Sequence, residues 1–133
     1  MIFQAYTAAP LILKRKWFQL IQSGEKTEEY RKITPYCIRR LSTNGTHSPR
    51  HIFDIGKREA AYFAKVPSAL QTAIDAGLVV PKTEAALFYE GYEKDRPSCA
   101  FLIQGISVSE GRPEWGADPG KEYLTIKLGE RIR

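Results

Sequence analysis

The sequence has few of the residues that build disulfide frameworks, metal centres or membrane spans. Of its 133 residues, two are cysteine and two are histidine. Two cysteines with no mark of a secretory route indicate reduced thiols, and we expect Cys37 and Cys99 to be buried. No apolar run approaches the roughly 18 residues of a membrane span, and the N-terminus lacks the basic start of a signal peptide. We therefore expect a cytoplasmic protein with no membrane partner.

The residue patterns of several catalytic classes are also missing. His47 and His51 are four residues apart, but Pro49 lies between them and no third ligand is near, so we expect loop histidines and no metal site. No Ser-His-Asp or Cys-His set is legible, and no glycine-rich phosphate loop appears. We expect neither a metal nor a cofactor.

Charge is distributed unevenly along the chain. Residues 1–58 carry 11 Lys or Arg against 4 Asp or Glu, whereas residues 59–133 carry 9 against 11. A basic half in a small domain suits a polyanionic partner such as nucleic acid, although solubility alone also explains a net charge of +5.

The order of the patterned segments predicts an α+β fold. The chain is 43% hydrophobic and 26% charged, as in an ordinary globular protein, and shows no repeat or linker, so we expect one domain over residues 1–133. Alternating segments at both ends enclose helical ones, which favours a small closed β-barrel with helices at its rim. The helices are predicted at residues 14–22, 35–41, 57–65 and 67–74, and the later strands at 85–89, 98–108 (bent at Gly105) and 122–128. A first strand at residues 2–6 is expected to break at Ala8-Ala9-Pro10.

The stretch from Ser23 to Arg31 organises these elements. Gly24 stands where a helix C-terminus favours positive φ, and a strand that starts at Thr27 puts Glu29 and Arg31 on one face. Lys26 lies at the turn, out of phase with that face. Burying such charges costs several kcal/mol unless they pair, so the alternatives are a functional cleft and a surface strand with an ordinary ion pair.

Other polar and aromatic residues have two readings each. Arg39 and Arg40 fall at a helix C-terminus, where cations are favourable, and phosphate contact is the alternative. Tyr92 and Trp115 are candidates for stacking on a base, with a barrel plug as the alternative for Trp115. Trp17 shares a helical face with Leu20 and Ile21, which indicates a core residue.

Four short motifs resemble one protein family. Gly24-x-Lys26-x-x-Glu29-x-Arg31 matches the G-x-K-x-x-E/T-x-R pattern of ASCH domains, which belong to the PUA-like superfamily. The later motifs are Gly91-Tyr92 followed by Arg96-Pro97, the loop 114–117, and the closing segment 126–129. Together they resemble the small ASCH proteins of bacteria and phages. Residues 43–84 look like a helical insertion.

The resemblance implies a β-barrel of about five or six strands and a cleft that receives RNA or a modified nucleoside. Lys26, Glu29 and Arg31 would line that cleft. The residues expected to contact the ligand are Gly24, Lys26, Glu29, Arg31, Tyr92, Arg96 and Trp115.

Members of the family differ in activity. Some resemble amidohydrolases that deacetylate N4-acetylcytidine with a Lys, a Thr and a distant Glu, whereas others are ribonucleases or RNA-binding modules. Here Glu29 stands at the position of the nucleophilic Thr, and Thr27 belongs to another position of the motif. An RNA- or nucleoside-binding domain is therefore the first reading, with Lys26 and Glu29 as candidate catalytic residues. A metal-independent hydrolase and a non-catalytic interaction module remain alternatives.

Overall fold

The chain folds as a mixed α+β protein. A computed structural model describes residues 2, 3, 5–45 and 54–133. The α-helices are α1 (Arg15–Gln22), α2 (Pro35–Leu41), α3 (Lys57–Lys65) and α4 (Pro67–Asp75), and a 3₁₀ turn spans Pro113–Trp115. The strands are β1 (Ile2–Phe3), β2 (Tyr6–Leu13), β3 (Glu28–Arg31), β4 (Ser42–Asn44), β5 (Val79–Pro81), β6 (Ala85–Glu90), β7 (Ser98–Glu110) and β8 (Glu122–Arg131).

Six strands form one sheet in the order β1-β2-β6-β7-β8-β3. The β2–β6 pair is parallel and the other pairs of the sheet are antiparallel. Strand β7 is irregular between Phe101 and Gly105, where its register against β8 shifts twice. This matches the bend expected at Gly105, because such irregularities curve a sheet locally.

The expected break at Ala8-Ala9-Pro10 is wrong, because β2 continues through these residues to Leu13. Strand β1 pairs with β2 only at Tyr6 and Thr7, so from Ala8 onward the described strands leave that edge of β2 unpaired. Proline lacks an N–H donor and is tolerated in a strand where no partner requires one. The unpaired interval between β2 and β3 is called the seam below.

The insertion packs into the same core as the sheet. Ile55, Phe63 and Leu70 belong to one buried cluster with Phe88 and Ile126 of the sheet. The insertion is helical only in part, because β4 and β5 add a two-stranded ribbon beside α3 and α4. Residues 46–53, which include the two histidines, lie outside the described residues.

Short sequence patterns predicted several helix ends correctly. The Thr34 hydroxyl accepts a hydrogen bond from the Cys37 N–H at 3.1 Å, so Thr34 caps α2 as expected. Helix α3 has the predicted bounds. Cys99 is buried as expected, whereas Cys37 is only half-buried because it lies in the first turn of α2, beside exposed Tyr36.

Candidate functional site

A tight turn after α1 positions the charged cluster. Gly24 adopts φ +84°, and the Lys26 N–H donates to the Leu20 carbonyl at 2.9 Å, which folds the chain back across the helix end. Strand β3 then alternates its side chains, so that Glu29 and Arg31 share a face. The turn brings the Lys26 side chain to that same face, although Lys26 is outside the strand.

Lys26, Glu29 and Arg31 form one ion-pair network. Lys26 Nζ lies 2.9 Å from Glu29 Oε1, and Arg31 Nη2 lies 2.9 Å from Glu29 Oε2. The side chains of Lys26 and Glu29 are 2% and 6% exposed, and that of Arg31 is 25% exposed. A carboxylate held between two cations satisfies both of its oxygens, which offsets the desolvation of the buried pair.

Aromatic rings surround the Lys26 ammonium. Its Nζ lies 5.2 Å from the centroid of the Trp17 ring and 5.6 Å from that of Tyr30, within the range of cation–π attraction. Trp17 is half-buried and packs against the core cluster, so the expectation of a core residue is confirmed only in part. Its ring packs against Gly116, where a Cβ would approach the ring to 3.0 Å. Trp17 therefore lines the site and also packs against the core.

Arg31 joins the two strands that flank the seam. Besides its bond to Glu29, Arg31 Nη2 donates to the backbone carbonyl of Ile12 in β2 at 3.2 Å. Arg31 Nε is buried and has no hydrogen-bond partner among the residues that the structure describes. A buried donor without an acceptor is costly, and here the unsatisfied N–H group of Arg31 lies beside the seam.

Two hollows meet at Ile12 and Arg31. The first, called the Glu29 hollow, has a volume of about 370 Å³, and Trp17, Glu29 and Tyr30 also line it. The second, called the arginine hollow, has a volume of about 500 Å³. Its charged and aromatic lining consists of Arg31, Arg40, Arg96, Tyr36, Tyr89 and Tyr92. None of the described residues that line the arginine hollow is acidic.

Neutral carbonyls orient the other two arginines of the arginine hollow. Arg40 donates from Nη2 to the Pro10 carbonyl, and Arg96 donates from Nη1 to the Gly91 carbonyl at 3.2 Å. The Arg96 guanidinium also stacks over the Tyr89 ring, 4.0 Å from its centroid. Because these contacts neutralise no charge, the hollow presents positive guanidinium groups to its interior.

Tyr36 and Tyr92 are unusually exposed for large side chains. They are 71% and 83% exposed, and both line the arginine hollow. Exposed aromatic rings beside guanidinium groups can stack on a nucleobase or a peptide group.

A third hollow, of about 260 Å³, adjoins the arginine hollow and shares Tyr36 and Arg40 with it. Arg39, Asp54 and Lys82 complete its lining, and it is called the Lys82 hollow. Lys82 Nζ lies 3.4 Å from Asp54 Oδ1, with both side chains well exposed. Asp54 and Lys82 bring the insertion to the rim of the site.

Tyr30 anchors the loop after β7, which contributes Gly116 and Asp118 to the lining of the Glu29 hollow. Its hydroxyl donates to Glu28 Oε2 at 3.0 Å and accepts from the Arg112 N–H at 3.1 Å. Burial, followed by the hydrogen bond with the Glu28 carboxylate, raises the pKa of Tyr30 to about 12. The phenol is therefore a fixed hydrogen-bonding group at neutral pH.

The remaining predicted residues lie at the margin. Gly24 and Thr27 are exposed and line none of the three hollows. Trp115 is half-buried in the 3₁₀ turn, with the Arg112 guanidinium 4.6 Å from its ring centroid, and it lines none of them either.

Sequence reasoning missed Tyr36 and Tyr89 and gave Arg40 a phosphate contact only as the alternative. Tyr36 and Arg40 are four residues apart on α2 and therefore share a face, which is the signal that could have paired them. Nothing local marks Tyr89, because its place depends on the pairing of β6 with β2.

Within the described ranges no group of three or more His, Cys, Asp or Glu side chains is placed to hold a metal ion. None of the helices described here has the length and apolar character needed to cross a bilayer.

The chain was also compared with known proteins. No protein-family model matches the sequence, and neither the curated proteins nor the solved structures gave a match.

Proposed function

We propose that this chain is an ASCH-like, PUA-like protein that binds RNA or a nucleoside-derived ligand in the cleft at the seam. The observation that carries the proposal is the lining of the arginine hollow, where three guanidinium groups and three tyrosine rings surround about 500 Å³. A phosphate is the natural partner of such cations, and an unpaired base is the natural partner of the rings. No acidic side chain among the described lining residues opposes an anion there.

The buried ion-pair network supports the ligand contacts. Glu29 fixes Arg31 from one side and is itself held by Lys26, so that the Arg31 guanidinium is oriented before a ligand arrives. In this proposal Arg31 and Arg96 contact phosphate, and Tyr92 stacks on a base.

The same proposal includes a barrel-like closure of the sheet. The five strands β2, β6, β7, β8 and β3 follow one another by pairing, and the Arg31 side chain spans the remaining interval from β3 to β2. A side chain in place of a strand-to-strand ladder leaves an opening, and the ligand would enter there. With both thiols free, we also place the protein in the cytoplasm.

Binding measurements test this function. We expect a fluorescent single-stranded RNA to bind, with an affinity that falls as salt rises, because phosphate neutralisation releases counterions. Arg96→Ala should weaken binding about tenfold, as loss of a charge-assisted hydrogen bond predicts. Arg58→Ala is the matched control, since Arg58 is exposed on α3 and lines none of the three hollows. A folded protein that binds neither RNA nor cytidine nucleotides would refute the proposal.

A hydrolase is the second candidate, favoured by the direct contact of a lysine with a carboxylate at the wall of the Glu29 hollow. In this scheme Glu29 takes a proton from water, and the hydroxide adds to the carbonyl carbon of an amide substrate. Lys26 lines none of the three hollows, so in this scheme it orients Glu29 from behind, and Arg31 at the wall of the same hollow stabilises the resulting oxyanion. Glu29 then passes the proton to the departing amine as the C–N bond breaks.

Turnover assays separate this candidate from simple binding. Acetate release from N4-acetylcytidine that is lost in Lys26→Met would establish the amidohydrolase, and cleavage of labelled RNA that is lost in the same variant would establish the ribonuclease. If RNA binds without turnover, a binding domain remains. If RNA does not bind and no turnover occurs, the remaining hypothesis is a non-catalytic protein-interaction module.

A further inference from the structure

The three hollows form one continuous row on the surface. The Glu29 hollow and the arginine hollow share Ile12 and Arg31, and the arginine hollow and the Lys82 hollow share Tyr36 and Arg40. A mononucleotide carries a single phosphate group and one base, and the arginine hollow alone, at about 500 Å³, offers cations and rings for both. The row is longer than such a ligand requires.

Positive groups recur along the whole row. Arg31 stands at the first boundary, Arg40 at the second, and Lys82 at the far end. Arg39, also in the last hollow, donates from Nε to the neutral carbonyl of Ile55 at 2.9 Å and keeps its charge. The pair between Lys82 and Asp54 has side chains 41% and 71% exposed, so it is weak and easily exchanged for a phosphate.

An exposed aromatic ring lies beside the cationic positions. Tyr36 is on the boundary between the arginine hollow and the Lys82 hollow, and its ring is 71% exposed. Cations with exposed rings beside them are expected on a surface that binds a phosphate backbone while bases stack on the rings. Paired bases are already stacked within a duplex and cannot use such rings.

We infer that the row is the path of a single-stranded RNA that runs from the seam over α2 to the insertion, so the ligand is a strand and not a lone nucleoside. This inference rests on the proposed function. It gives Tyr36, Arg39 and Lys82 the role of binding residues on the far side of the site. It also gives Asp54 an opposing role, because its carboxylate competes with phosphate for Lys82.

The first experiment compares ligand lengths. The affinities of cytidine monophosphate, a trinucleotide and a hexanucleotide RNA are measured with the intact protein, together with a duplex of the hexanucleotide sequence. We expect affinity to rise from the mononucleotide to the hexanucleotide and the duplex to bind more weakly than the single strand. Equal affinity for the mononucleotide and the hexanucleotide would overturn the strand path and leave the proposed function standing. Equal affinity for the duplex would also overturn it.

Substitutions at the far end of the row give the second experiment. Lys82→Ala should weaken hexanucleotide binding about fivefold and reduce the slope of log affinity against log salt by about 0.7, with no effect on the mononucleotide. Lys65→Ala is the matched control, because Lys65 is exposed on α3 and lines none of the three hollows.

Asp54→Asn supplies a test that does not depend on loss of binding. Removing the carboxylate leaves Lys82 to the phosphate, so the hexanucleotide should bind more tightly while the mononucleotide is unaffected. If Lys82→Ala and Asp54→Asn both leave hexanucleotide affinity unchanged, the path over the insertion is refuted. If no RNA of any length binds the folded protein, both the path and the proposed function fail.

Discussion

The Arg31 guanidinium in β3 and the Ile12 carbonyl in β2 are 3.2 Å apart, and this contact crosses the interval where the two strands do not pair. The same nitrogen also contacts Glu29. One side chain therefore links the buried ion pair, the edge of the sheet and both hollows of the seam.

Arg31→Lys should weaken RNA binding about tenfold while the protein stays folded. A lysine keeps the charge but has a single nitrogen, which would have to bind Glu29, Ile12 and the phosphate at once, whereas the guanidinium makes both protein contacts from Nη2 alone. Fluorescence anisotropy with a labelled RNA measures the change. Arg58→Lys, on the exposed surface of α3, should bind as the wild type does. Equal affinity in Arg31→Lys would show that only charge matters at the seam.

Glu29→Gln should destabilise the fold by about 3–5 kcal/mol, because it leaves the buried Lys26 ammonium without its carboxylate. Adding Lys26→Met should recover part of this loss, since the isolated charge is then removed. Urea denaturation measures both variants.

Lys121 and Asp118 provide the matched control for this prediction. They share the i,i+3 spacing of the buried pair but have side chains 67% and 69% exposed. Asp118→Asn should cost under about 1 kcal/mol. Comparable losses in the two pairs would contradict a buried network.

Gly111→Ala should destabilise the protein by about 1–3 kcal/mol, as overpacking predicts. A Cβ at Gly111 would lie 2.5 Å from the Ala117 Cβ and 2.8 Å from Tyr30 Cζ, so the loop must move. Gly105→Ala is the control, because nothing lies within 4 Å of a Cβ at Gly105. Thermal unfolding distinguishes the two, and an unchanged midpoint in Gly111→Ala would show that the loop does not depend on this contact.

Stability should fall at alkaline pH through the titration of Tyr30. Its pKa is raised to about 12 from an ordinary value of 10.0, so the folded state favours the neutral phenol. That contribution is fully present below pH 10 and is lost as pH rises through 12. Urea midpoints across this interval should fall less steeply in Tyr30→Phe than in the wild type. Parallel profiles would contradict the assignment.

The two thiols should differ in reactivity. Burial raises the pKa of the Cys99 thiol, and that side chain is fully enclosed, whereas Cys37 is half-buried. An excess of a thiol reagent should modify Cys37 quickly and Cys99 only on unfolding. Cys37→Ser should remove the fast phase, and a fast phase that persists in this variant would place the reactive group at Cys99.

Local chemistry explains which elements the sequence predicted well. Thr34 before Pro35 and Gly24 after α1 each satisfy a helix end through neighbouring residues, so their effect is visible in a short window. The ion-pair network is similarly local, because Lys26, Glu29 and Arg31 lie within six residues of one another. The strand pattern put Glu29 and Arg31 on one face but left Lys26 out of phase, because the turn that brings its side chain to Glu29 is not visible in the alternation.

The arginine hollow was beyond such reasoning because its residues are distant in the chain. Arg40 meets Pro10 from 30 positions away, and Arg31 meets Ile12 from 19. Both contacts require that β2 continues past Ala8, whereas Pro10 predicted a break in the strand at that point. That proline is tolerated because none of the described strands pairs with its edge of β2 beyond Thr7.

The unpaired edge of β2 has a consequence for self-association. An exposed strand edge is a template on which a second copy can add a strand and begin to aggregate. Here Pro10 offers no donor, and the carbonyls of Pro10 and Ile12 are occupied by Arg40 and Arg31. The two guanidinium groups at the seam therefore also prevent a strand of a second molecule from pairing with this edge.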